Sequence, residues 1–276
     1  MKKIIAALLL LLFVLTSYSA AQEKYDLTYK FEKGKTYFFR HKNLTDMNMS
    51  MMGQEINIPM EMKAKMRFEI VEKTDKTIEV ISSYDSLISK STNPMQGGEQ
   101  VNNGEGIVGK KTRIIMDQEG KVIKKVEIDP SALTNMNVSF SGSYENMMRL
   151  SSKPVSIGES WQHIDTLKMT VGPAEVIIIQ TTDMKIESKD NYEGVDCLKI
   201  SVSQKQLMTG AGAAEGQSIG MDGTNVMKGY GYFDYKNGLM LNLDLAGEGN
   251  MNMNLTEQGM SIPMTQKAKT VVTLVR

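Results

Sequence analysis

The sequence predicts an all-β protein: long antiparallel strands in a curved sheet or half-barrel, as one sheet or two similar halves, with one or two short helices. Three observations carry this. From Ile56 to Ile70 every second residue is apolar (Ile56, Ile58, Met60, Met62, Ala64, Met66, Phe68, Ile70), and the residues between are Asn57, Pro59, Glu61, Lys63, Lys65, Arg67 and Glu69. Period two over such a length is a strand with one dry and one wet face, the mark of an antiparallel sheet. Similar stretches recur along the chain with turn signals between them. Finally, a segment near the start is repeated near the end.

The predicted strands run near 35–52, 56–70, 76–88, 111–117, 121–128, 160–170, 175–188, 195–208, 226–235, 239–247 and 260–275. Pro59 cannot donate to a ladder, so it marks an edge, a strand start or a bulge. Turns are expected at Met52-Gly53-Gln54, Asp117-Gln118-Glu119-Gly120 and Lys236-Asn237-Gly238, the last as a hairpin with both central residues at positive φ. Residues 91–109 and the Gly/Ala/Ser-rich 210–223 read as loops able to act as flaps. Helices are plausible only near 130–136 and 144–150.

Shifting the sequence by 204 aligns residues 47–71 with 251–275 without a gap, with 11 identities in 25 positions. Met47-Asn48-Met49 falls on Met251-Asn252-Met253, Ile58-Pro59-Met60 on Ile262-Pro263-Met264, and Lys63-Ala64-Lys65 on Lys267-Ala268-Lys269. The shift is even, so equivalent side chains keep their face. Residues 29–71 and 233–275 are expected to follow one strand–turn–strand–turn–strand path, with Gly34 and Gly238 in turns.

The N-terminus has the parts of a secretory leader: Lys2 and Lys3, an apolar run of 12 residues from Ile4 to Leu15, and small residues at Ser19-Ala20-Ala21. Cleavage is expected before Gln22. The apolar run is too short to cross a bilayer, which takes about 20 residues. Cys197 is the only cysteine, so no lipid-bearing cysteine stands at the cut and no internal disulfide forms. The expectation is an exported protein, periplasmic or extracellular, without a lipid anchor or a transmembrane segment after cleavage. Without residues 1–21 the chain has 30 basic and 32 acidic residues and no basic cluster, which argues against nucleic acid as a partner. The expected division is 1–21 leader, 22–150 first β half and 151–276 second β half, or one continuous domain 22–276.

A looser second parallel supports two halves. Gly158-Glu159-Ser160-Trp161 opens the second run of strands as Gly34-Lys35-Thr36-Tyr37 opens the first. With Lys153-Pro154-Val155-x-x-Gly158-Glu159-x-Trp161 after a leader, the chain resembles an uncharacterised family of exported bacterial β-proteins. That resemblance implies the fold and the export but no activity. In architecture alone, the successive long strands are similar to the half-barrels of periplasmic lipoprotein carriers.

No residue pattern specifies catalysis, and no cofactor is implied. His163-Ile164-Asp165 offers at most two metal ligands where zinc sites take three or more. There is no Gly-x-Ser-x-Gly elbow. Gly210, Gly212, Gly216 and Gly220 lack the Gly-Lys-Ser/Thr of a phosphate loop. Methionine is the abnormal feature, 23 in the chain. Three readings of it stand open. Met fills the sheet core in place of Leu and Val. Or Met60, Met62, Met66, Phe68 and Met264 form an adaptable face for a lipid or other apolar ligand. Or Met47, Met49, Met60, Met62, Met251, Met253 and Met264 supply thioethers to Cu(I). The functional expectation is an exported non-enzymatic envelope protein that binds an apolar ligand or a protein partner. Copper binding is the alternative, and a hydrolase without a recognisable motif the third reading.

Overall fold

The computed structural model describes residues 23–51, 53–93, 97–129, 147–171, 174–214, 217–255 and 259–276. The expected leader and the helix near 130–136 lie outside them, as does the other expected helix up to residue 146. Met147–Leu150 are not helical.

The described chain is all β. Its strands are β1 (Lys24–Tyr25), β2 (Thr36–Met51), β3 (Gln54–Lys73), β4 (Thr77–Asn93), β5 (Gly98–Asn102), β6 (Thr112–Asp117), β7 (Val122–Glu127), β8 (Val155–Ser156), β9 (Ser160–Val171), β10 (Ala174–Tyr192), β11 (Val195–Ala214), β12 (Gln217–Asp234), β13 (Leu239–Leu255) and β14 (Met260–Val275). Twelve of them form one open, curved antiparallel sheet in the order β7-β6-β4-β3-β2-β14-β13-β12-β11-β10-β9, with β5 beside β4. Two meanders, β2–β7 and β9–β14, thus join where the last strand pairs with the first long one, from Met264↔Met49 to Val275↔Phe38.

The two meanders open with the same device. Gly34 N donates to Ile70 O (2.8 Å) and Ile70 N to Lys35 O (2.9 Å), while Gly158 N donates to Ile186 O (2.7 Å) and Ile186 N to Glu159 O (3.2 Å). Register shifts follow both isoleucines, at Ile70/Glu72 and Ile186/Ser188. A buried isoleucine followed by a bulge pins each entry turn to its sheet.

The terminal repeat also has a structural cause. Pro59 lies one residue beyond the last β3–β4 pair, Met60↔Ser91. Pro263 lies one residue beyond the last β14–β2 pair, Met264↔Met49. In both copies Ile-Pro-Met ends pairing with the next strand, because proline has no N–H to give. Gly34 (φ 81°) and Gly238 (φ 64°) both sit in turns, as expected.

Several expectations need correction. Residues 29–32 are not a strand, so the first copy of the repeat lacks its leading strand. The hairpins differ in register: Met51↔Gln54 closes one and Leu255↔Met260 the other, a slide of two residues that preserves the faces. Asn237 does not have positive φ; Asp234 instead caps that turn, accepting from Lys236 N and Asn237 N. Glu193-Gly194, between Tyr192 and Val195, is a two-residue hairpin with both central residues at positive φ (48° and 85°). Residues 210–214 and 217–223 are not flaps but the ends of β11 and β12, paired throughout. Within 91–109, β4 runs to Asn93 and β5 occupies Gly98–Asn102.

The cover over the sheet is an extended strap. Tyr25, Leu27, Tyr29 and Phe31 alternate with Asp26, Thr28 and Lys30, and all four are buried. Tyr29 stacks on Phe31 (5.4 Å) and meets Phe233 edge-on (5.7 Å), and its hydroxyl donates to Met148 O (2.9 Å). The strap pairs with β8 at Tyr25↔Val155 and, with Met147, Met148 and Leu150, closes the main core over Phe39, Met66, Phe68, Ile186, Ile200 and Leu243.

Candidate functional site

Residues directly opposite in an antiparallel ladder share a face, so the register gives the composition of the inner face row by row. One row reads Ile56, Met49, Met264, Met251, Gly223, Met208, Ile178, Leu167 from β3 to β9. The next, about 7 Å along the strands, reads Ile58, Met47, Gln266, Gly249, Asn225, Gln206, Gln180, Asp165. Further on come Met60, Thr45, Ala268, Gly247, Met227, Gln204, Thr182 and His163, then the strap-covered core. A belt of neutral amides therefore crosses β10–β12, with Gln266 on β14 beyond Gly249, and parts the inner face into two apolar sectors. The main core lies on one side. On the other, Val176 and Ile178 form a separate cluster with Leu167, Met208 and Met221.

From β12 to β10 the belt is hydrogen-bonded side chain to side chain. Asn225 Nδ2 donates to Gln206 Oε1 (3.1 Å), Gln206 Nε2 to Gln180 Oε1 (2.8 Å), and Gln180 Nε2 to Thr182 Oγ1 (3.3 Å). At its β9 end Arg149 Nη1 donates to Asp165 Oδ1 (2.8 Å), and both side chains are largely covered. His163 completes this corner: Nε2 lies 3.0 Å from Leu150 O, and Nδ1 lies 3.5 Å from Arg149 Nη2. Burial first, and then the Arg149 charge, hold His163 below its ordinary value. The neutral ring donating from Nε2 to the carbonyl fits both contacts. His163 and Asp165 are thus occupied as structural partners of residues 149–150.

A cavity of about 370 Å³ opens here, between Arg149, Met148 and Lys121 on one wall and Asp165, Gln180, Thr182 and Gln204 on the other. Beyond the belt, Met47, Met208, Met251 and Met264 line a narrow cleft with Gln206 and Asn225, in which only about 10 Å³ is free.

The residues singled out from sequence fall on this map in two groups. Met47, Met49, Met60, Met62, Met251, Met253 and Met264 all point to the inner face, and Met49, Met264 and Met251 stand side by side on adjacent strands. Met62, Met66 and Phe68 lie in the main core and Met264 beside the cleft, all four buried; Met60 is half-buried between the sectors. Met47, Met49, Met251 and Met253 are half-buried. Sequence reasoning missed the amide belt. Its signal was there, in Gln180-x-Thr182 and Gln204-x-Gln206 on alternate positions, but a search for apolar alternation passes over it. Cys197 is buried, and burial pushes its thiol up.

No family model and no curated protein matches the chain. Among solved structures, the Pseudomonas aeruginosa protein OccK5 (OpdH) is 8% identical, with 88% of this chain and 99% of that one covered and a TM-score of 0.31. An outer membrane channel from Pseudomonas putida F1 is 6% identical, with coverages of 91% and 98% and a TM-score of 0.26. A domain described as an outer membrane lipoprotein-sorting protein, from Vibrio parahaemolyticus, is 10% identical, with coverages of 86% and 83% and a TM-score of 0.16. Likeness at this level assigns neither a family nor an activity. Among the described residues no helix is long and apolar enough to cross a membrane.

Proposed function

We propose that this is an exported, non-enzymatic envelope protein that holds an apolar ligand against the inner face of its sheet. One observation carries the reading. The strap closes the main core, yet the inner face continues past the amide belt into a methionine-rich sector whose Met47, Met49, Met208, Met221, Met251 and Met253 stay half-buried. Apolar area left beyond a finished core asks for an occupant. Methionine suits such a surface because its unbranched side chain repacks at low cost, so the narrow cleft beside Met264 can widen around a chain. Native mass spectrometry of protein taken from its own envelope is the test. A retained lipid-like mass lost on solvent extraction is the expected result. Bare protein that also binds no alkyl-chain probe refutes the reading.

The side-by-side placement of Met49, Met264 and Met251 favours copper as the second reading, since soft thioethers select Cu(I). Titration of Cu(I) against a competing chelator separates the two. An unchanged chelator spectrum removes copper.

A further inference from the structure

The amide belt has a direction, and its ends are unequal. Each amide donates to the next, from Asn225 through Gln206 and Gln180 to Thr182. A head-to-tail chain leaves an acceptor over at its first member. That atom is Asn225 Oδ1, which is buried and has no hydrogen-bond partner among the described residues. Asn225 is 9% exposed, and its side chain lines the cleft of Met208, Met251 and Met264. A buried acceptor left without a donor is costly and calls for one. Across the belt, Arg149 Nε is a second buried atom without a partner, here a donor, beside the cavity.

The charges at the site are balanced. Arg149 is matched by Asp165, and Asn225, Gln206, Gln180 and Gln266 are neutral; Lys121 stands exposed at the cavity wall. An ionic head group drawn onto the belt would leave water with no free counter-charge among the belt side chains, an expensive transfer. A hydroxyl or amide head meets no such cost.

Resting on the reading of the inner face as a ligand site, we propose that the ligand is an uncharged amphiphile. Its single apolar chain lies over the methionine sector, and its hydroxyl- or amide-bearing head donates a hydrogen bond to Asn225 Oδ1. The belt then serves as a polarity filter, set where the apolar sector ends.

The test uses delipidated protein from the envelope and four probes that share one chain length: 1-monododecanoylglycerol, dodecanoate, dodecyltrimethylammonium and propyl dodecanoate, each below micelle formation. Calorimetry reads affinity. The glyceride is expected to bind at least ten-fold tighter than either ion and ten-fold tighter than the hydroxyl-free ester. Asn225→Leu should erase that preference, weakening the glyceride about ten-fold and leaving the other probes unchanged. Dodecanoate or the ammonium binding as well as the glyceride overturns the proposal, as does an unaltered preference in Asn225→Leu. If that variant folds poorly, the glyceride-against-ester comparison on the unmodified protein decides alone, and equal affinities overturn it. Binding of all four probes without discrimination removes the filter but leaves an apolar site. Binding of none removes both readings.

Discussion

Gly229 and Gly247 stand where β12 and β13 press together. A Cβ on Gly229 would drive into the Asp244 carbonyl oxygen, and one on Gly247 into that of Val226. Both partners are backbone, so neither can swing aside. Glycine is used here for close approach, and the strands can coil tightly because of it. Gly229→Ala and Gly247→Ala are each expected to cost about 3 kcal/mol. Gly220→Ala, whose new carbon would find Asn254 Cβ at 3.8 Å, should leave the urea midpoint unchanged or raise it slightly. Equal midpoints in all three variants would refute this account of the curvature. A second residue-scale effect is set by pH. Burial holds His41 down at about 4, against 6.5 in an open chain. Below pH 6.5 the unfolded chain takes up a proton that the folded chain refuses, so stability is full above that value and is lost as pH falls toward 4. The slope is at most about 1.4 kcal/mol per pH unit for one group. His163, also lowered by burial and by Arg149, acts in the same direction. Urea midpoints at pH 7.5 and 5 should fall less steeply in His41→Gln. An unchanged slope would show that His41 is protonated without penalty.

At the scale of the element, β3 tests the two-sector face along a single strand. Met62 is 5% exposed in the main core, and Met60, two residues away on the same face, is only half-buried. Met62→Lys should cost about 3–5 kcal/mol, since a lone charge there has no exit. Met60→Lys should cost about 1 kcal/mol, because from this half-buried position its ammonium can snorkel to water. Lys63→Met, on the wet face, loses only an exposed pair with Glu61 (2.8 Å) and should stay within about 0.5 kcal/mol of the parent. Thermal melts that reversed the order of Met60 and Met62 would refute the division into sectors. β3 was legible in the sequence because Ile, Met and Phe alternate with Lys, Arg and Glu without a break. The far ends of β11 and β12 were not. Gly210, Ala211, Gly212, Ala213 and Gly220 carry almost no side chain with which to show an alternation, and their pairing is fixed by the neighbours, Gly210 by Met221 and Gly220 by Asn254. The strap was written plainly as Tyr25, Leu27, Tyr29 and Phe31, but four alternating residues have no partner visible in sequence. Their role appears only when Met148 and Phe233, more than a hundred residues away, come to meet them.

For the whole molecule the decisive feature is the seam between β14 and β2. It joins residues 227 apart, as in the bond from Asn43 Nδ2 to Thr270 Oγ1 (3.1 Å), and makes one sheet of two meanders. We therefore read residues 22–276 as one folding unit of two similar halves rather than two domains. Non-local pairing of this kind is slow to form, because the loop between the strands must close before any seam contact rewards it. Until β14 is in place, β2 and β13 each offer a long row of unpaired backbone groups, a template for other chains. A chain ended at Leu255 should accordingly form soluble oligomers or aggregates on size exclusion, with its β signature in circular dichroism retained. Adding a peptide of residues 260–276 during refolding should restore the monomer by supplying the missing strand, with its alternate Ile262, Met264, Ala268 and Val272 entering the inner face. A peptide in which Ile262 and Met264 are replaced by Asp should fail, because the outer-face residues alone cannot hold the register. If the truncated chain is monomeric and melts cooperatively without any peptide, the meanders are independent domains, and the single-unit reading is wrong.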